Sequence, residues 1–146
     1  MLDSLFYNYS KVDNYYQDNY FNIWKFPAIA QKKQKRPIIL NYSIMTRAYG
    51  TFGNEDSFIH YFNRHGFDVY LMDWGKDHVF SLSGWSLDDL SNALETKAVI
   101  PLLKEYKVDS LNIFGICIGG LITSHMINKG LKKDKNYAKK FTSIFK

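Results

Sequence analysis

With one cysteine in 146 residues, the chain has no internal disulfide to lean on. Its N-terminus also lacks the basic start, apolar centre and small-residue cleavage site of a secretory leader, so a reducing cytoplasm is the expected compartment. Long hydrophobic runs are missing too. The longest charge-free segment lies between Asp109 and Lys129 and is broken by glycines and by Asn112, Thr123, Ser124 and His125. A membrane span needs about 20 mostly apolar residues, so no transmembrane segment is expected. Two glycine motifs are absent as well. A phosphate loop requires Gly-Lys-Ser/Thr where this chain has Gly120-Leu121-Ile122, and the three spaced glycines of a dinucleotide fold do not occur. No metal site is expected, because His60 and His65 stand five apart, a poor chelating interval.

What is present suffices for a core. The composition is 46% hydrophobic and 17% aromatic, and the length suits one domain or part of a larger one. The net charge of +5 is mostly local, since Lys129, Lys132, Lys133, Lys135, Lys139, Lys140 and Lys146 face only Asp134. Such a cluster can attract nucleic acid, an anionic membrane or a phosphorylated ligand such as an acyl-CoA. The lysines do not alternate with stacking aromatics, so a solvated helix end is expected and nucleic acid is not.

The sequence divides into an aromatic N-terminal arm with a basic linker, residues 1–36, and a core, residues 37–146. From Met1 to Phe26 aromatic residues are scattered among Asn and Asp with no clean period, which predicts an irregular arm packed on the domain or on a partner. "QKKQKRP", Gln31 to Pro37, reads as a charged linker. "PIILNYS" then reads as a buried strand and a loop. Asp56 is placed to cap a helix carrying Phe58, Ile59, Phe62 and His65, ended by Gly66. "FDVYLMDWG" is a second strand. Ser86 is placed to cap a helix carrying Leu87, Leu90, Leu94 and Ala98, which Pro101 should kink or divide. "VDSLNIF" is a third strand, the next helix runs from just after Cys117 to about Gly130, and "FTSIF" starts a fourth strand. The alternation predicts an α/β fold with a mostly parallel sheet and helices on its faces, in which reactive groups gather at the C-terminal strand ends.

The lone cysteine sits at such an end. Gly115-Ile116-Cys117-Ile118-Gly119-Gly120 has the spacing of a nucleophile elbow with Cys for Ser. A nucleophile on so sharp a turn is held in a strained backbone, and side chains two residues to either side would strike the neighbouring strand and helix, which glycine avoids. Backbone N–H groups and the positive end of the helix dipole favour thiolate there. The Ile118 N–H would face an acyl oxyanion. The plainer alternative makes Cys117 a small buried hydrophobe.

From about Pro37 onward the chain resembles the polyhydroxyalkanoate synthases, enzymes of the α/β-hydrolase fold whose lipase-like box carries cysteine. "IILNYSIMTRAYG" is similar to that family's strand and following loop, with Arg47 and Tyr49 in matching places. "GFDVYLMDWG" resembles its second strand through Gly66, Val69, Tyr70, Asp73 and Trp74, "SLDDL" its acidic helix start, and "LNIFGICIGG" its nucleophile box. The resemblance implies transfer of a 3-hydroxyacyl group from coenzyme A to Cys117, and from there to the hydroxyl end of a growing polyester, with no cofactor. It implies an oxyanion hole made by the Ile118 N–H and an N–H from the Ser43 to Met45 loop, taken as that of Ile44. It also implies an aspartate and then a histidine after the nucleophile.

Here the sequence departs from the pattern. After Cys117 the only histidine is His125 and the only carboxylate Asp134. His125 falls about 12 Å along the helix that Cys117 begins, too far to serve the thiol, and is expected in packing or on the helix surface. Of the earlier histidines only His78, in the loop after "DWG", is placed to approach. The resemblance therefore implies the nucleophile part of a larger enzyme, cut after the nucleophile helix and inactive alone. Its partners would be 3-hydroxyacyl-CoA, a second chain bearing Asp and His, a synthase subunit or a second copy, and the polyester granule. Two other readings stand beside it: another cysteine-nucleophile hydrolase of thioesterase or dienelactone type, and a non-catalytic remnant that binds a synthase or a granule through the arm.

Overall fold

The structure, a computed structural model, describes residues 12–43, 57–74 and 83–142. Their strands are β1 (Asp13–Gln17), β2 (Asn22–Phe26), β3 (Ile38–Asn41), β4 (Val69–Asp73), β5 (Leu111–Gly115) and β6 (Phe141–Thr142). The α-helices among them are α1 (Phe58–Arg64), α2 (Leu87–Leu94), α3 (Ile100–Tyr106) and α4 (Ile118–Lys133). All six strands form one sheet in the order β1-β2-β4-β3-β5-β6. The pairs β3/β4, β3/β5 and β5/β6 are parallel, and β1/β2 and β2/β4 are antiparallel. The fold is thus α/β with a mixed, mostly parallel sheet.

Two apolar layers account for the sheet's burial on both faces. Ile23, Ile39, Tyr70, Met72 and Leu111 point to the side covered by α2, α3 and α4, where Leu90, Leu94, Leu102 and Ile122 meet them. Trp24, Phe26, Ile38, Leu40, Val69 and Leu71 point to the other side, against Ile59 and Phe62 of α1. Strands buried on both faces read as continuous apolar runs, as "PIIL" and "VYLM" do.

The aromatic arm is where the sequence reading is corrected. Asp13 to Phe26 is no irregular arm but an antiparallel hairpin that extends the sheet through β2. Asp18 closes its turn, its carboxylate accepting from the Tyr20 and Phe21 N–H groups at 2.7 and 2.9 Å. The period was hidden for two reasons. The β1 register shifts between Asn14 and Tyr16, and β2 is buried on both faces, so neither strand alternates.

Two helix ends also differ from expectation. Ser57, in extended backbone, caps α1 by accepting from the His60 N–H at 3.2 Å; the expected cap, Asp56, lies outside the described residues. Helix α4 continues past Gly130 to Lys133, and Gly130 sits within it against the Tyr137 ring, which a Cβ there would strike. The other expectations hold. Ser86 and Asp89 form a reciprocal capping box at α2, and Pro101 divides its helix: a π-helical turn, Glu95–Val99, takes up the break before α3. Of the expected strand "FTSIF", Phe141 and Thr142 form β6 and the rest lies outside the described residues.

Candidate functional site at the end of β5

Cys117 follows the C-terminal end of β5 and caps the N-terminus of α4, with φ +58° and ψ −130°. A side chain at positive φ in this region costs of order 1–3 kcal/mol and persists only where the surroundings enforce it. Here they do. A Cβ on Gly115 would come to 2.6 Å from the Gly120 Cα, and one on Gly119 would lie against the Asn41 carbonyl, 2.7 Å from that of Tyr42. The first contact lets the helix start close on the strand, and the second lets it close on β3. Cys117 is exposed, so it is not the small buried hydrophobe of the plainer reading.

The clamp behind the turn is Asn41, the last residue of β3 and fully buried. Its carbonyl accepts from the Ile116 N–H at 2.9 Å. Its side-chain NH2 donates to the Gly119 carbonyl at 2.9 Å and to Thr123 Oγ1 at 3.0 Å, and its Oδ1 accepts from Trp74 Nε1–H at 2.7 Å. Thr123 in turn donates to the Gly119 carbonyl at 2.8 Å. The indole only donates, which fixes the orientation of the amide. One asparagine thus ties the turn, the first turn of α4 and the end of β4 together.

The neighbouring Asp73 anchors the next strand across, its Oδ2 accepting from Trp24 Nε1–H of β2 at 3.0 Å. "DW" is therefore a pair of buried brackets, one to each side of β4. Sequence reasoning found Asp73 and Trp74 only as motif letters and gave Asn41 no role. The available signals were a lone amide ending an apolar strand and a threonine four residues after Gly119.

The remaining residues sort clearly. Cys117, Ile118, Gly115, Gly119 and Gly120 are gathered at the turn. Its backbone bonds run from Gly119 N–H to the Ile116 carbonyl and from Gly120 N–H to the Cys117 carbonyl, both 3.0 Å, and the Ile118 N–H takes no part in them. Ile44, Arg47, Tyr49 and His78 lie outside the described residues. His125 sits between helices as expected: its Nε2 donates to Asp88 Oδ1 of α2 at 2.6 Å, and Lys129 reaches the same oxygen at 3.1 Å. These partners, the imidazole hydrogen bond first and then the lysine, hold the Asp88 carboxyl below its usual range. Asp134 closes the turn after α4, accepting from the Asn136 N–H at 2.9 Å. Among the described residues no histidine reaches the thiol, and no helix is long and apolar enough to cross a membrane.

No protein-family model matches the chain. Curated relatives do. A poly(3-hydroxyalkanoate) polymerase subunit PhaC from Thiocystis violacea is 35% identical over 112 residues, 76% of this chain and 31% of that protein. The subunit of the same name from Allochromatium vinosum is 34% identical over 110 residues, 75% of this chain and 30% of its own length. That from Haloarcula marismortui is 27% identical over 128 residues, 82% of this chain and 26% of its own length. The chain spans less than a third of each of these proteins. Over about three quarters of its length it is nonetheless a relative of the poly(3-hydroxyalkanoate) synthase family.

Proposed function

We propose that the chain carries the nucleophile of a poly(3-hydroxyalkanoate) synthase of the α/β-hydrolase fold, and that Cys117 accepts a 3-hydroxyacyl group from coenzyme A. The observation that carries this reading is the exposed cysteine at φ +58°, between β5 and α4, in a chain 35% identical to a polymerase subunit of that name. In the first step the Cys117 thiolate attacks the acyl-CoA thioester carbonyl. The Ile118 N–H, with that of Ile44, bears the oxyanion, the carbonyl carbon's bond to the CoA sulfur breaks, and CoA leaves as a thiolate that takes up the proton. In the second step the hydroxyl at the end of the polyester attacks the Cys117 thioester and lengthens by one unit, while a base receives its proton and the thiol is restored. Leu121, one helical turn beyond Cys117 and exposed, offers apolar surface to the acyl chain.

The base and its orienting aspartate come from a further part of the synthase, supplied by a second polypeptide or by other residues of the full enzyme. His60 and His65 ride on or cap α1, and His125 is engaged by Asp88, which supports a chain that turns over little alone. Such an enzyme works in the cytoplasm or at the granule surface. The test is mass spectrometry after mixing with 3-hydroxybutyryl-CoA, with and without a polypeptide bearing the rest of a synthase. The expected result is acyl adduct on Cys117, none on Cys117→Ala, and CoA release that continues only in the mixture. Adduct on another residue, or free hydroxyacid without polymer, would favour the thioesterase reading.

A further inference from the structure

At the opposite end of the sheet, where the parallel strands begin, the linker forms a cleft of about 450 Å³ lined by Lys32, Lys33, Gln34, Lys35, Arg36, Phe67, Asn112 and Thr142. Its volume lies in the range that holds whole small molecules. Asn112 lies near the start of β5, about 10 Å of strand before its end at Gly115, and the turn that presents Cys117 follows that end, so cleft and thiol stand at opposite ends of β5. It is a separate site.

The linker is pinned, not merely charged. The Gln34 N–H donates to the Gly66 carbonyl at 2.8 Å, and Gly66, at φ +91°, lies so close to the Lys32 carbonyl that no side chain fits there. On the far side the Asn112 N–H donates to the Pro37 carbonyl at 3.1 Å. Between these anchors Lys32, Lys33 and Lys35 are exposed, and among the described residues none of them has a carboxylate partner. Arg36 pairs with Asp109 at 3.4 Å. Holding like charges around a concavity raises the energy of the unliganded fold, and an anion with several negative oxygens relieves it. Asn112 and Thr142 complete the wall, their side chains donating to the Pro37 and Leu111 carbonyls at 3.4 and 3.2 Å, and Phe67 adds an aromatic face. Toward the C-terminus, Lys129 of α4 is paired with Asp88 and Lys140, past the end of α4, lies over the Tyr137 ring, while Lys132 and Lys133 are exposed but do not line this cleft.

From this arrangement we infer that the cleft at the foot of β3 and β5 binds a small molecule bearing a diphosphate. The inference does not rest on the chemistry proposed for Cys117. Its test is titration of the isotope-labelled full chain with ADP, read by NMR. The expected result is saturable movement of the Lys32 to Arg36, Asn112 and Thr142 signals. Binding should weaken about tenfold in Lys33→Glu/Lys35→Glu, the equivalent of about one charge-assisted hydrogen bond. It should stay unchanged in Lys132→Glu/Lys133→Glu and in Cys117→Ala. Linear, unsaturable movement overturns the inference. So does equal weakening in the Lys132/Lys133 variant, which would mean general attraction to a basic protein, or loss of binding in Cys117→Ala.

Discussion

At residue 117 the backbone and the side chain are at odds, and the conflict is measurable. Replacing Cys117 with glycine removes a strain of about 1–3 kcal/mol at the cost of about 0.5–1 kcal/mol of extra chain entropy. Cys117→Gly is therefore expected to unfold at a higher urea concentration than Cys117→Ala, by about 1 kcal/mol, while accepting no acyl group. A glycine variant less stable than the alanine one would show that the turn is not strained. Asn41 makes the opposite case. Asn41→Ala leaves the Trp74 Nε1–H without its acceptor in a fully buried position and frees the Gly119 carbonyl from one of its two side-chain donors. A loss of about 1–3 kcal/mol in urea unfolding is expected. Because the same amide holds the turn, Cys117 acylation should slow beyond what that stability loss explains. An unchanged acylation rate would reduce Asn41 to a structural role.

At the scale of elements, the capping box of α2 is an isolated, testable unit. Asp89 Oδ2 accepts from both the Ser86 N–H, at 2.7 Å, and its hydroxyl, at 2.8 Å, and these bonds, the backbone one first, hold its carboxyl below the ordinary 3.8. Ser86→Ala is expected to cost about 1 kcal/mol, a usual price for a lost cap. It should also let Asp89 titrate closer to its ordinary value, as followed by NMR; an unmoved Asp89 would mean that the hydroxyl contributes nothing. The Ser86 cap, the Pro101 break and the strand-to-helix turn were all legible in the sequence, because each is set by residues within a few positions of one another. The β1–β2 hairpin and the Asn41 clamp were not. The hairpin is held by pairing with β4, some fifty residues on, and its aromatic residues were spread over two faces and a bulge. Asn41 acts on Gly119, Thr123 and Trp74, which only the assembled sheet brings to it. Local rules find caps and turns, whereas contacts between strands distant in sequence leave little trace in composition.

Across the whole molecule, the titrating groups bound the pH range of stability from both sides. Asp88, Asp89 and Asp109, the last held by Arg36 first, have folded-state carboxyls below the ordinary 3.8. Their contribution is present above the ordinary value and is lost as pH falls through the lower folded ones. On the alkaline side burial first, then the Glu105 charge for Tyr15 and the Asp18 bond for Tyr16, push both phenols up to about 12 from 10.0. Tyr70 and Tyr106 are raised as well, again by burial first, and Tyr106 donates to Asp68 at 2.6 Å while Tyr70 bonds to Tyr106 at 2.7 Å. A raised phenol contributes stability that is complete below pH 10 and is lost as pH rises through its folded value. The urea midpoint should therefore form a plateau that falls below about pH 4 and above about pH 10. A urea midpoint that does not fall above pH 10 would show that the fold does not hold these phenols out of water.

The turn at residue 117 is fixed by Asn41, Thr123 and three glycines, through carbonyls, amides and missing methyls, and none of those hydrogen bonds uses the cysteine sulfur. Architecture and reagent are therefore separable. The same scaffold presents whatever atom stands at its apex, so a sulfur can be exchanged for an oxygen, or given up, by a single substitution that leaves every strand where it is. In a lineage built this way, the chemistry can change faster than the shape that displays it.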